Sequence, residues 1–475
     1  MSAAAEPSVD NQYTRGLAEF VAGLRYTDIP AEVRDRIKLL VLDSLGCALY
    51  GARLPWSEIL IRCLAQLDRS DDCAAWGTAR RFSAPHATLI NGTLVQGFEL
   101  DDVHRQGILH VGAVTLPPLI AVGEIRPEMT GKDFLTAAVA GYEVGPRVGM
   151  CMGPDHIGQG WHSGATVGVF SAAAGAAAGL RLSADATVHA LGIAGTQASG
   201  LMAAQYGAMV KRMHAGRSAQ SGLYAALLAE AGFTGIANVF ESKYGGFCTT
   251  FSGSADRFDL TQLTAGLGER FETMGIALKF YSCVGSNHTT LDAIQALRAR
   301  HRFAIEDIDK ITVYGSRVTV DHVGWPYQPQ GLTAAQLNLP YCVATLLLDG
   351  DVFVDQFREE LVADPARIAL SRKVEVIEDP AITAKGAKYR HLVRVRIRLK
   401  NGTLLEHEME AARGSEKNFA SDDQVIRKFL TLAKHTLPPA AARELCDAVL
   451  NLDSLDDAAV LPRLLSTDPF PPCRG

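Results

Sequence analysis

Residues 163–180 read SGATVGVFSAAAGAAAGL, an uncharged run made mostly of alanine, glycine and serine. Such a run is too weakly apolar to form a convincing membrane span, which is dominated by larger aliphatic residues. Small side chains instead let helix backbones approach one another closely inside a large bundle. The run therefore predicts one tightly packed, buried helix and no membrane anchor.

Helical patterns extend outward from this run through residues 12–268. The clearest is Pro30 followed by AEVRDRIKLLVLDSLGCALYG, with apolar residues at i, i+3 and i+4. Residues 133–147 and 183–195 repeat the pattern with Asp or Ser at the cap position. Helical periodicity returns in residues 421–464, which we expect to pack back on the first block. No repeat of fixed period is present.

Alternating apolar and polar residues mark a different region further along the chain. The strand-like runs are KITVYGSRVTV (310–320), KVEVIED (373–379) and HLVRVRIRLKNGTLLEHEME (391–410), with helical segments between them. Asn401-Gly402 predicts a hairpin turn. The chain is thus expected to be mainly α, with a helical domain at 1–270, an α+β domain at 271–410 and C-terminal helices at 411–475.

Composition narrows the function classes. Hydrophobic residues make up 48% of the 475 residues and the net charge is -6, so neither nucleic acid nor an anionic membrane is attracted globally. Nine scattered cysteines without a CxxC pair are typical of reduced thiols. The first ten residues lack the basic and apolar regions of a secretory signal, so we expect a cytoplasmic protein.

Candidate chemistry comes from dispersed side chains, because no Walker loop, GxGxxG, HExxH or GxSxG motif is present. The segment ELDDVHRQGILH (99–110) holds Asp101, Asp102, His104 and His110. These residues fit three roles: a metal site, an aspartate that tunes a histidine acting as acid or base, or a polar loop before a helix.

Three further segments carry candidate groups. His162 precedes the small-residue run, where a helix dipole favours a neutral imidazole, although a core histidine fits equally. The other candidates are the cations of MVKRMHAGRSAQSG (209–222), namely Lys211, Arg212, His214 and Arg217, and the pair Lys279 and His288. An anion site and a structural ion-pair network both fit the cations. We expect Lys211 and Lys279 on opposite sides of an interdomain cleft.

The ordered set of these motifs resembles the MmgE/PrpD family, which includes 2-methylcitrate dehydratase, cis-aconitate decarboxylase and iminodisuccinate epimerase. The likeness runs from VLDSLGCALYG (41–51) to LPYCVATLLLDG (339–350). It implies a large all-helical domain built from both chain ends, a smaller α+β lid domain, a homodimer and no cofactor.

Residue by residue, the resemblance implies one pocket. Its implied catalytic residues are Asp101, His110, His162, Lys211, Lys279 and Tyr341, and its implied substrate-binding residues are Arg212, His214 and His288. Two segments depart from the family pattern. Val111 replaces the proline of His-Pro-Gly, and Phe280-Tyr281-Ser282 replaces Pro-(Tyr/Phe)-Pro after the lysine. The loops beside the pocket are therefore expected to differ from those of other members.

These observations favour a cofactor-independent lyase that moves a proton next to a carboxylate of a small di- or tricarboxylic acid. His110 and His162 are expected to transfer protons, with Asp101 orienting a histidine and the lysines stabilising negative charge. Dehydration, decarboxylation and epimerisation remain open. The alternatives are a non-catalytic binder of organic anions, or a metal-dependent hydrolase that uses the four clustered residues of segment 99–110.

Overall fold

A computed structural model of the chain describes residues 10–126, 128–206 and 208–466. Its mainly α fold confirms the expected fold class. The N-terminal helices are α1 (Gln12–Gly23), α2 (Ala31–Gly51), α3 (Pro55–Leu67), α4 (Ala84–Val95), α5 (Val111–Ile125), α6 (Gly131–Met152), α7 (Asp155–Gly158), α8 (Ser163–Thr166), α9 (Gly168–Gly179), α10 (Ala184–Gly195), α11 (Val210–Glu230) and α12 (Phe247–Ser252).

Helices of the later part alternate with strands. They are α13 (Gly285–Arg300), α14 (Arg317–Val323), α15 (Leu332–Leu337), α16 (Leu339–Asp349), α17 (Glu359–Val362), α18 (Pro365–Ser371), α19 (Pro380–Thr383), α20 (Asp422–Ala433), α21 (Pro439–Leu450) and α22 (Val460–Leu465). The strands of the whole chain are β1 (Cys73–Ala74), β2 (Arg81–Phe82), β3 (Val103–His104), β4 (Ile276–Ala277), β5 (Ile308–Gly315), β6 (Val374–Glu378), β7 (Val393–Leu399) and β8 (Leu404–Met409).

The small-residue run is buried but forms two helices instead of the single one predicted. Helix α8 ends at Thr166, and α9 begins after Val167. Residues 168–177 are all buried, and α9 packs against α5, α6 and α11. At the crossing with α11, a Cβ on Gly222 would lie 2.3 Å from the Cβ of Ala172, so only glycine permits this approach.

The two ends of the chain meet in the helical part. Helix α20 packs against α2, and α21 and α22 pack against each other. Lys428 of α20 forms a buried ion pair with Asp43 of α2, with 2.6 Å between nitrogen and oxygen, and donates to the carbonyl of Leu100 at 2.8 Å. Helix α20 therefore contacts segment 99–110 through Lys428.

The strands β5 to β8 form one sheet in the order β6-β5-β7-β8, with β5 and β6 parallel and the other pairs antiparallel. The hairpin predicted at Asn401-Gly402 is confirmed, with Gly402 at φ 87° between β7 and β8. The strand predicted for 310–320 is wrong beyond Gly315. There Ser316 caps α14 by accepting a hydrogen bond from the Thr319 amide, so the rest of the run is helical.

The described chain folds around two hydrophobic cores. Residues 17–280 and 420–465 build one core, whereas residues 281–405 build most of the other. The domain limits at 270 and 410 stay predictions, and the expected absence of a secretory signal falls largely on residues 1–9, outside the described part. None of the helices that the structure describes is both long enough and apolar enough to cross a bilayer.

Candidate active site

A cavity of about 180 Å³ lies between the two parts of the chain that build the two hydrophobic cores, and residues from both parts line it. Its ionisable lining residues are Glu99, Arg105, His110, His162, Lys211, Lys279, His322, Arg390 and His391. A second cavity of about 400 Å³ adjoins it and shares Gln205, His322 and Leu337 with it. The two cavities together give a small chamber lined by many ionisable side chains, with a larger space beside it.

His110 is held in one orientation at the end of segment 99–110. Its Nδ1 lies 2.8 Å from the backbone carbonyl of Asp102 and 3.1 Å from the Oδ2 of Asp101. Because a carbonyl only accepts hydrogen bonds, Nδ1 carries a proton. Burial raises the pKa of Asp101, but His110 and Lys279 outweigh it and hold that pKa below its usual range. The ionised Asp101 therefore places a negative charge beside the Nδ1 side of the His110 ring.

Asp102 supports this arrangement from outside the cavity. Its carboxyl accepts from the Gly112 amide at 3.0 Å and from the Tyr142 hydroxyl at 2.9 Å. Burial, with nearby carboxylates, raises the pKa of Asp102 to about 7. A Cβ on Gly112 would lie 2.1 Å from the Ser44 hydroxyl oxygen, so the helix start requires glycine here. Helix α5 begins at Val111, directly after His110.

The four residues considered for a metal site do not share a centre. His104 Nδ1 accepts from the Gly107 amide at 2.9 Å, and its Nε2 lies 3.2 Å from Glu272. Asp102 faces Gly112 and Tyr142, as described above. Across residues 10–126, 128–206 and 208–466, no group of three or more His, Cys, Asp or Glu side chains is arranged to hold a metal ion. This geometry gives the metal-dependent hydrolase no support.

Glu99 is the residue that the sequence reasoning missed. Its buried carboxylate contacts Lys211, Arg212 at 2.6 Å and Lys279 at 3.4 Å. We call these four residues the lysine cluster. Burial raises the pKa of Glu99, but the three cations outweigh it and hold the pKa well below its usual range. The expectation that the two lysines lie on opposite sides of a cleft is therefore wrong, because both contact one carboxylate.

A weak sequence signal for Glu99 existed. It is the first acid of the same segment that contains Asp101 and Asp102. Its backbone has φ 56°, a strained value for a residue with a side chain, and such strain is concentrated at functional sites. The decisive feature, three cations converging from distant segments, is visible only in three dimensions.

His162 lies in a cationic environment. It precedes α8, and its Nδ1 is 3.2 Å from the Nδ1 of His214. Burial lowers the pKa of His162 well below its usual range, and Lys211 and His214 lower it further. Burial, and not the dipole of the four-residue α8, is thus the main reason that this imidazole is neutral.

Several predicted site residues do not line the cavity. Arg212 and His214 lie behind Glu99 and His162, and Arg217 is exposed. His288 Nε2 donates to the Cys283 carbonyl at 3.2 Å. Tyr341 is fully buried in α16, and its hydroxyl donates to the Leu361 carbonyl at 3.1 Å. The structure thus brings His110, His162, Lys211 and Lys279 to one cavity, with Asp101 directly behind His110.

A second cationic group lines the same cavity and was not predicted. It consists of Arg105, in the turn after β3, and of Arg390 and His391, just before β7. We call these three residues the arginine cluster. Their signal in the sequence is weak, because Arg390 and His391 lie just before a strand that carries three further arginines.

Comparison with known proteins agrees with this architecture. The MmgE/PrpD N-terminal domain matches residues 15–259, and the MmgE/PrpD C-terminal domain matches residues 281–454. The chain belongs to the MmgE/PrpD family. The expected resemblance is therefore confirmed.

Relatives match over nearly the full length of the chain. A cis-aconitate decarboxylase-like protein, oryM, of Aspergillus oryzae is 35% identical over 96% of this chain and 98% of its own. The cis-aconitate decarboxylase of Aspergillus terreus is 32% identical, with 97% of each chain covered. The cis-aconitate decarboxylase of Homo sapiens is 27% identical over 97% of this chain and 95% of its own. Family and relatives together support an enzyme of the lyase type, with a decarboxylase- or dehydratase-like function.

Proposed function

We propose that this protein is a cofactor-independent lyase that decarboxylates a small tricarboxylate of the cis-aconitate type. The observation that carries the proposal is the convergence of two histidines and two lysines on one cavity. A proton donor beside cations is what a reaction needs when negative charge develops next to a carboxylate. The full-length similarity to proteins named cis-aconitate decarboxylase supports this choice of substrate.

The chemistry follows from the bonds of cis-aconitate. Its saturated carbon bears a carboxylate and adjoins the double bond that carries the other two. When carbon dioxide leaves, the electrons of the broken bond form a new double bond to the middle carbon. The electrons of the original double bond move onto its other carbon, the CH that bears a carboxylate, and this carbon takes up one proton. The products are carbon dioxide and the dicarboxylate 2-methylidenebutanedioate.

The environments of the two histidines suggest their roles. His110 is the proposed proton donor, because Asp101 and the Asp102 carbonyl orient its ring through Nδ1 while Nε2 has no hydrogen-bond partner within the described residues. His162, kept neutral by burial and Lys211, is proposed as a polar contact that can also accept a proton. Pairs of groups in opposed environments are the usual basis of acid and base assignments.

The lysine cluster is proposed to stabilise the developing negative charge. Three cations meet one carboxylate there, so the cluster keeps an excess of two positive charges. Neither ammonium donates a hydrogen bond to any described side chain or carbonyl other than Glu99, which leaves donors available for substrate. Glu99 is proposed to hold both ammonium groups in position before substrate arrives.

A substrate screen tests the proposal. The purified chain is incubated with cis-aconitate, citrate, 2-methylcitrate and iminodisuccinate, and each reaction is followed by NMR together with carbon dioxide release. We expect cis-aconitate to be consumed with one carbon dioxide per product. Water loss from 2-methylcitrate without carbon dioxide would make the enzyme a dehydratase. Inversion of iminodisuccinate would make it an epimerase, and no turnover of any acid would favour the binder.

Assembly and compartment are further parts of the proposal. We propose a homodimer in the cytoplasm, as family resemblance and cysteine usage imply. Light scattering after size-exclusion chromatography tests the first part. A mass close to twice the 50.9 kDa of one chain is expected, and a mass of one chain would contradict it.

A further inference from the structure

The arginine cluster has hydrogen-bond donors that the described chain does not satisfy. The guanidinium of Arg105 donates no hydrogen bond to described atoms, and its nearest carboxylate oxygen, in Glu416, is 3.7 Å from Nε. The Nε of Arg390 donates to the Nε2 of His391 at 3.0 Å, and its Nη2 donates to the Arg105 carbonyl at the long distance of 3.5 Å. Two arginines thus lie at the cavity wall, and within the described chain a carboxylate approaches only Arg105, at 3.7 Å.

His391 adds a buried donor of the same kind. Arginine can only donate hydrogen bonds, so the Nε2 of His391 must accept from Arg390, and the proton of the neutral ring lies on Nδ1. That Nδ1 is buried and has no partner among the described residues. Buried polar atoms without a partner are rare in folded proteins, and they point to a missing acceptor.

The backbone that carries the cluster is held in place before any ligand binds. The carbonyl of Arg390 accepts hydrogen bonds from the Ser316 hydroxyl at 2.9 Å and the Thr319 hydroxyl at 3.0 Å, both at the start of α14. Arg105 follows β3, which pairs with β4. The backbones of Arg105 and Arg390 are therefore anchored on opposite parts of the chain that meet at the cavity, which places both side chains at its wall.

We propose that Arg105, Arg390 and His391 form a second carboxylate subsite, which binds a substrate carboxylate remote from the one at the lysine cluster. The enzyme would then select polycarboxylates over monocarboxylates. This inference rests on the proposed function and names the groups that set its substrate class. Arginine suits the task because its planar fork matches a carboxylate with two parallel hydrogen bonds.

Binding of an unreactive analogue tests the subsite without turnover. Propane-1,2,3-tricarboxylate has the three carboxylates of cis-aconitate but no double bond, so it cannot follow the allylic decarboxylation. Its Kd is measured by calorimetry for the wild type, Arg390→Gln and Arg105→Gln. We expect Kd to rise about 10- to 100-fold in each variant, the range for losing a hydrogen bond to a charged group. Butyrate, measured as a competitor, should change less than about 2-fold.

Matched variants keep the test sharp. Arg394→Gln removes an arginine of β7 that pairs with Asp379 at 3.0 Å and does not line the cavity, so Kd should stay within about 2-fold of wild type. Arg390→Lys keeps the charge but loses the fork, and an intermediate Kd is expected. If Arg390→Gln fails to fold, the Kd of Arg105→Gln decides the test. The Arg105 guanidinium forms no hydrogen bond with the described chain, so this substitution should not disturb the fold.

Four results would overturn the subsite. They are an unchanged Kd in Arg105→Gln, equal losses for butyrate and the tricarboxylate, equal losses in Arg394→Gln, and tighter binding of inorganic phosphate than of the tricarboxylate by the wild type. Failure of the proposed function is separate. If the tricarboxylate binds as expected and cis-aconitate is not decarboxylated, the subsite stands and the proposed reaction is wrong.

Discussion

The lysine cluster and the arginine cluster line one cavity but are neutralised differently. In the lysine cluster, a buried carboxylate of the chain contacts three cations, with Lys279, the farthest, at 3.4 Å. In the arginine cluster, the carboxylate of Glu416 lies 3.7 Å from Arg105 and is partly exposed. Buried cations need a counter-charge, and the half-buried cations of the arginine cluster are stabilised by one. The chain supplies it at the first cluster, whereas in our account substrate supplies much of it at the second.

The largest expected effect is on kcat, and it comes from His110, which belongs to neither cluster. Both clusters are proposed to bind, so removing the proton donor should lower kcat most. His110→Gln is expected to reduce kcat by about 10² to 10⁴, as for other general acids, with little change in KM. Steady-state kinetics with cis-aconitate measure this. The control is His86→Gln, a partly exposed histidine paired with Asp68 away from the cavity. A near-normal kcat in His110→Gln would remove His110 from proton transfer.

Paired glutamate variants test the comparison through stability. Glu99→Gln leaves three buried cations without their carboxylate and should lower the free energy of unfolding by about 3 to 5 kcal/mol. Glu416→Gln removes a longer, partly exposed pair and should cost less than about 1 kcal/mol. Urea unfolding followed by circular dichroism gives both numbers. Equal costs would show that the two clusters are neutralised alike.

A lysine variant separates binding from stability within the first cluster. In Lys211→Met, Glu99 keeps Arg212 and Lys279, so the unfolding free energy should change by less than about 2 kcal/mol. The KM for a tricarboxylate should rise about 10- to 100-fold, because one charged donor is lost. Lys310→Met, on the sheet in an exposed pair with Glu375, should alter neither quantity. If Lys211→Met unfolded the protein while KM of the folded fraction stayed normal, the cluster would be purely structural.

Asp102 extends the comparison to a carboxyl with no cation among its hydrogen-bond partners. Its pKa is raised to about 7, so between about pH 4 and 7 the folded chain holds a proton that the unfolded chain has lost. Its contribution to stability therefore falls as pH rises through that window and is constant above it. Asp102→Asn imitates the protonated form. From pH 5 to pH 8 the wild type should lose about 1 to 3 kcal/mol more unfolding free energy than this variant. Equal losses in urea titrations at the two pH values would contradict the raised pKa.

Local patterns predicted most of the fold. Periodicity predicted α2, which begins directly after Pro30, and a cap predicted α10, where Ser183 is the N-cap. The Asn401-Gly402 turn predicted the hairpin. The errors arose where one residue changed the local geometry. Ser316 capped a helix inside an alternating run, and the chain between Thr166 and Gly168 divided the small-residue run.

The site was predictable only in part. His110, His162 and the two lysines stood out because ionisable residues clustered in short segments. Glu99 and Arg390 did not, because their roles depend on contacts between segments more than 100 residues apart. Tyr341 was predicted as a site residue from family resemblance alone. Its hydroxyl donates a hydrogen bond to a backbone carbonyl, and the residue does not line the cavity.

The position of deuterium in the product tests the central claim most directly. Wild-type protein, dialysed against chelator, is incubated with cis-aconitate in deuterium oxide, and the product is examined by proton and carbon NMR. Proton delivery to the terminal alkene carbon by a solvent-exchanged His110 predicts one deuterium on the saturated methylene, none on the new vinylidene carbon, and one carbon dioxide per product. Deuterium on the vinylidene carbon, or loss of cis-aconitate without carbon dioxide, would contradict the proposed lyase.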